Sequence, residues 1–210
     1  LLAQRGAHVV MHDVGAGTDG RGRDPQRILH SAEMLRAQGL SVQGASGPID
    51  DRAGCHAVLH SLLQQHGRID FLIHNAGWVE YQALEAIEDE ALERMLCLAA
   101  KTPLWLAQAA WPAMRDAGGG RIVITTSDRA LYPQYAQRGL SAYAMGKLAA
   151  LGLVNVLALE GAVLLVGDPM DDRQATAATV IVHAETPRRP AHAPGPIECA
   201  GSNMFMSPKC

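Results

Sequence analysis

The sequence lacks any close pair of cysteines. Cys55, Cys97, Cys199 and Cys210 are scattered and none forms a C-x-x-C pair, which argues against a zinc knuckle or a disulfide framework. Reduced thiols and a cytoplasmic setting are expected. A run of about 18 uninterrupted apolar residues is also missing, so no membrane span is expected. The chain opens without the charged-then-apolar segment of a secretory signal. No charge of one sign dominates: 18 Lys and Arg stand against 21 Asp and Glu, for a formal net charge of −3. The basic residues are dispersed, apart from Arg188 and Arg189, and a nucleic-acid partner is not expected. Nine histidines are present but scattered, with no H-E-x-x-H, so no metal site is expected. No internal repeat is visible.

What is present is an alternation. "AHVVMHD" (7–13) is a short apolar run ending in Asp13 and reads as a buried strand. The glycine-rich "VGAGTDGRGRD" (14–24) is a loop. Asp24 followed by Pro25 is a helix start, and Ile28, Leu29, Ala32 and Leu35 then recur at helical spacing until Gly39. "LSVQGA" is a weaker strand. "DDRAGCHAVLHSLLQQHG" is a second amphipathic helix with a glycine stop, and "RIDFLIHNAG" is a strand followed by a turn. A long helical pattern covers about 88–116, bent at or near Pro103. "GGGRIVITTS" is a further strand, and "SAYAMGKLAALGLVNVLALEG" a long helix.

Strand and helix therefore alternate through Gly161, the pattern of parallel β-α-β units in a doubly wound, Rossmann-like α/β sheet. Ligands in such sheets sit at the carboxyl ends of the strands. Asp13, Asn75 and Ser127 all fall at or just past such ends. Beyond Gly161 the character changes. "VLLVG" fits one more strand, and the remainder is rich in Pro, Ala, Arg and His, with poor periodicity apart from "ATVIVH". Residues 1–161 are read as the core and 162–210 as a divergent, partly disordered tail, poorly ordered from 185 onward. "LLAQRGAHVV" reads as the end of a helix, a glycine stop and a strand. This predicts that a segment upstream of Leu1 is missing.

Tyr143 and Lys147 lie four residues apart. Any such pair shares a helix face, so the spacing alone is ordinary. In context it is not. "RIDFLIHNAG", "GGGRIVITTS" and "YAMGK" follow one another in the order and spacing of the short-chain dehydrogenase/reductase family, which this chain resembles over residues 1 to about 161. The glycine-rich loop after "MHD" is similar to that of the hydroxyacyl-CoA dehydrogenase branch. The resemblance implies an NAD(P)-dependent oxidoreductase that interconverts a secondary alcohol and a ketone, with a small-molecule substrate and a homodimeric or homotetrameric assembly built on its two long helices.

It also implies roles for residues. Tyr143 is the acid/base, Lys147 tunes it and bonds the nicotinamide ribose, and Ser127 orients the substrate oxygen, with Thr126 and Asp128 as weaker rivals. A phenol titrates near pKa ~10, too high for a base at neutral pH, and a nearby ammonium favours the phenolate. Asp13 would accept bonds from the adenosine ribose and favour NAD, although it also fits a loop cap, and Arg21 and Arg23 keep NADP open. Asn75, Ala76 and Gly77 form the turn beside the cofactor, where small residues admit close backbone approach. Ile49 would pack on adenine. Trp78, Tyr81, Tyr132 and Tyr135 are candidates for a substrate pocket.

Four departures accompany the resemblance. The family's T-G-x-x-x-G-x-G phosphate turn and its first strand precede the point at which this sequence starts. Pro48 replaces an adenine-contacting Asp, and Ala99 stands where the family often has Asn. After Gly161 the family's strand, P-G turn and substrate loop are not recognisable, which fits either a shifted reading frame or a divergent end. The resemblance thus predicts an incomplete fold lacking the first strand. Two readings stay open: an oxidoreductase, present here as an incomplete or inactive copy, and a non-catalytic relative acting only through dimerisation.

Overall fold

A computed structural model describes residues 1–17, 20–161 and 179–185. After a single 3-10 turn at Ala3–Arg5, strand β1 spans Val9–His12 and helix α1 Pro25–Arg36. The helix starts where Asp24 accepts the Gln26 amide at 3.1 Å, with Pro25 in the first turn. Strand β2 (Val42–Ala45) lies parallel to β1, with Val9 opposite Val42 and His12 opposite Ala45. Helix α2 (Arg52–His66) is capped by Asp51, which accepts the Gly54 amide at 2.6 Å, and stops at Gly67 in the left-handed conformation.

The second unit repeats the plan. Strand β3 (Phe71–His74) leads to helix α3 (Asp89–Leu96), a π-helical turn (Cys97–Lys101) and helix α4 (Thr102–Asp116). The sequence predicts one bent helix here. The bend is the π turn, and Pro103 sits just beyond it in the first turn of α4. Strand β4 (Gly119–Thr125) is parallel to β3 and buried from Ile122 onward, as befits a strand covered on both faces. The short helix α5 (Asp128–Leu131) and a 3-10 turn at Pro133–Tyr135 occupy the loop before the long helix α6 (Ser141–Glu160).

Strand β5 (Thr179–Glu185) contains "TVIVH" of the "ATVIVH" alternation and pairs with β4, Thr179 opposite Thr125 and Glu185 opposite Gly119. It runs antiparallel, which the parallel β-α-β pattern does not predict; an antiparallel partner needs no crossover helix in front of it. "VLLVG" and residues 186–210 lie outside the described residues, and of the predicted disordered stretch only Glu185 is described.

The architecture is the expected Rossmann-like α/β arrangement of parallel units. Its described strands form two sheets rather than one, β1-β2 and β3-β4-β5. The main core joins α2, α4, β4 and α6 through Cys55, Leu59, Leu106, Ala110, Met114, Ile122, Ile124 and Val154. Helix α6 is long and apolar enough to cross a membrane, with a mean hydropathy of 1.6 over its span. Ala142, Gly146, Lys147, Ala150, Val154 and Leu157 are buried against the rest of the fold, while Met145, Leu148, Val156 and Leu159 are exposed.

Candidate active site

The site gathers at the carboxyl ends of β3 and β4 and the first half of α6. Thr125, the last residue of β4, donates its hydroxyl to Asn75 Oδ1 at 2.9 Å and so ties the two strand ends together. Thr126 donates its hydroxyl to the Lys147 carbonyl at 2.8 Å, fastening α6 to the end of β4. Lys147 then turns its ammonium inward. Nζ donates to the Thr125 carbonyl at 2.8 Å, and the residue is 4% exposed. Burial pushes its pKa below the usual lysine value.

Nζ also lies 5.7 Å from the centroid of the Tyr143 ring, one helical turn back. Tyr143 is half-buried and packs on Ala91, Met95 and Ala142 beside Trp78. Gly77 faces the same ammonium: a Cβ at that position would come within 3.7 Å of Nζ. The structure thus brings together four of the residues singled out in the sequence, namely Asn75, Gly77, Tyr143 and Lys147. Asn75, Ala76 and Gly77 are exposed at the end of β3.

The other candidates are placed as follows. Ser127 follows β4 and is fully buried; its hydroxyl lies 3.5 Å from Asp128 Oδ1. Asp128, one of its rivals, accepts the Arg129 amide at 2.7 Å in the first turn of α5. Thr126, the other rival, is committed to the α6 backbone. Asp13 is exposed past β1 and accepts the Gly15 amide at 2.6 Å. Arg23 pairs with Asp50 at 2.6 Å. Ile49 is buried in the main core and its carbonyl accepts the Thr102 hydroxyl at 2.7 Å. Tyr81 and Tyr132 are exposed, and Tyr132 meets Tyr135 edge-on at 6.2 Å.

Two features were not singled out from the sequence. The first is His74, the last residue of β3. It is 3% exposed, and neither ring nitrogen has a hydrogen-bond partner among the described residues. Desolvation, and then the Lys147 charge, lower its pKa to about 4. The signal was available in "FLIHNAG", where a histidine closes an apolar strand. The second is the stack of Arg94 on Trp78 at 4.2 Å. Gly20 of the first loop reaches this pair so closely that a Cβ there would lie 2.6 Å from both side chains.

Parallel β-α-β units with polar groups converging at the strand ends define a doubly wound, Rossmann-like α/β protein. The sequence profile of the family described as short chain dehydrogenase matches residues 2–166. The chain belongs to that family.

Among its relatives, peroxisomal multifunctional enzyme A of Dictyostelium discoideum is 30% identical over 160 residues, covering 76% of this chain and 35% of that protein. Dehydrogenase/reductase SDR family member 4 of Homo sapiens is 31% identical over 160 residues, covering 76% of this chain and 53% of the relative. The chain therefore spans between a third and about half of these relatives. Among solved structures, a gluconate 5-dehydrogenase from Burkholderia cenocepacia, in complex with NADP and tartrate, superposes with a TM-score of 0.67. The two are 23% identical, over 77% of this chain and 58% of that one, a likeness that speaks for the fold.

Proposed function

We propose that residues 1–161 form the core of an NAD(P)-dependent oxidoreductase interconverting a secondary alcohol and a ketone. The observation that carries this reading is the buried Lys147 ammonium, anchored on the Thr125 carbonyl between Tyr143 and Gly77. Holding a cation there is costly, and its effect is to place positive charge beside the Tyr143 ring. In this reading Tyr143 gives or takes the proton at the substrate oxygen, and Ser127 orients that oxygen.

The residues fit a dinucleotide at its two ribose ends. Lys147 would hold the nicotinamide ribose, and Asp13 and the Asn75–Gly77 turn the adenosine ribose. When bound, the nicotinamide supplies or accepts the hydride. The exposed Asp13 carboxylate supports NAD, while the NADP in the Burkholderia enzyme keeps NADP open. The glycine-rich first loop supports the hydroxyacyl-CoA dehydrogenase branch. The free thiols of Cys55 and Cys97 suit a reducing cytoplasm.

NADH titration followed by the emission of Trp78, Trp105 and Trp111 should give saturable quenching. Tyr143→Phe should abolish turnover of secondary alcohols while leaving the quenching in place; turnover that survives this substitution would sink the assignment. A second reading is a non-catalytic member acting through association. It is favoured by Leu104 on α4 and by Met145, Leu148, Val156 and Leu159 on α6, all exposed. The same face would support a homodimer or homotetramer of the enzyme. A flat NADH response combined with a dimer in sedimentation equilibrium selects the second reading.

A further inference from the structure

His74 is a buried base that the proposed chemistry does not use. Both ring nitrogens sit in a space with almost no solvent access and no partner among the described residues. Leaving a buried polar atom unsatisfied is costly enough that native structures seldom do so. The neighbouring ammonium has the opposite need. Lys147 carries three N–H donors; one goes to the Thr125 carbonyl, one residue along β4 from the register partner of His74, so both groups lie at the same strand ends. On β4 the residue paired in register with His74 is Ile124, which offers no charge and no side-chain acceptor. Lys147 on α6 is the charged group that acts on it.

A neutral imidazole has one acceptor nitrogen, and a buried ammonium has donors to spare. A single ordered water can join them when direct geometry is not met, as water commonly does for buried polar groups. We propose that His74 is a positioning residue whose neutral imidazole accepts a hydrogen bond from Lys147 through one buried water, fixing the ammonium behind Tyr143. With Thr125 on one side and His74 on the other, the lysine is held from two strands at once. The imidazole stays uncharged because a second positive charge in that space would oppose the first. The functional meaning of this contact rests on the Tyr143–Lys147 reading; the hydrogen bond itself does not.

The test is nuclear magnetic resonance on the full chain without cofactor. Only three lysines (Lys101, Lys147 and Lys209) and nine histidines are present, so single substitutions assign the signals. His74 should stay neutral in one tautomer from about pH 5.5 to about 8, with its unprotonated nitrogen shifted as a hydrogen-bonded acceptor. His74→Leu, which removes the acceptor, should lower the Lys147 titration midpoint by about one unit. His74→Gln, which keeps an acceptor, should preserve most of it. An unbonded nitrogen shift in the parent protein, or one Lys147 midpoint shared by the parent and both variants, overturns the proposal. If the Leu variant does not fold, the parent nitrogen shift decides alone. Loss of turnover with this signal intact would count against the catalytic reading and leave His74 in its role.

Discussion

Lys147 and His74 are both buried at the strand ends, and the imidazole keeps its neutral form well below its ordinary range because of burial and then the lysine charge. That arrangement makes acid a specific hazard. The unfolded imidazole takes a proton near its ordinary 6.5, while the folded one waits until about 4. Between these values the unfolded state holds more protons, so stability falls as pH falls through that window and levels off below it. Above about 6.5 neither state is charged and the term vanishes. The shift corresponds to a loss on the order of 3 kcal/mol. His74→Gln should therefore flatten the acid limb between 6.5 and 4, read as urea midpoints along a pH series. A variant with the parent slope there would show that other groups dominate the acid response. At this scale the sequence was legible where chemistry comes as side chains in a pattern. Tyr143 and Lys147 share one face of α6, and Asn75 closes the turn after β3 beside the end of β4. The Thr125 carbonyl that anchors Lys147 left no trace, because every residue has a carbonyl and its direction is a property of the folded chain. Ile49 is a different case. Its apolar side chain fits a ligand contact or a core equally well on paper, and the fold places it in the core.

Among the elements, the contact between α6 and the π turn is the least forgiving. Gly146 lies between Tyr143 and Lys147, and a Cβ there would stand 2.9 Å from the Ala99 Cβ and 3.2 Å from the Met95 carbonyl. Neither neighbour is the loose end of a flexible chain. Gly146→Ala should cost about 1–3 kcal/mol through overpacking, measured by chemical denaturation. Ala99→Gly in the same chain should return part of that loss. If Gly146→Ala is neutral on its own, the close approach described here is wrong. The elements were more legible than the contacts between them. Caps at Asp24 and Asp51 and the stop at Gly67 set helix boundaries locally, so they could be read. The π turn could not, since one extra residue per turn has no composition of its own; Pro103 marked only the place. The alternation in "ATVIVH" identified a strand, while its antiparallel direction depends on the partner it meets.

Taken whole, the described residues join the two sheets through side chains and helices, with no ladder hydrogen bond between the described strands of one and the other. The Ile49 carbonyl accepts from Thr102, the Asp50 carbonyl accepts from Cys97 at 3.1 Å, and α2 packs on α4. Thr102→Val removes a buried hydroxyl donor and should cost about 1–2 kcal/mol. Hydrogen exchange should then quicken in β1 and β2 more than in β4; uniform quickening would show that the two sheets open as one unit. Parallel alternation foretold each β-α-β unit, but nothing in a single sequence announces the pair of carbonyls on which the units lean. The sheet arrangement has a further consequence for handling the protein in solution. Among the described strands β3 is paired on one edge, by β4, and its Phe71 and Ile73 are 51% and 48% exposed. An edge left unpaired among the described strands, beside two large exposed apolar side chains, is a place where a further strand can add. Light scattering should accordingly rise with concentration, and Ile73→Lys should raise the concentration at which clouding begins, so that colloidal behaviour becomes a property written into one short strand.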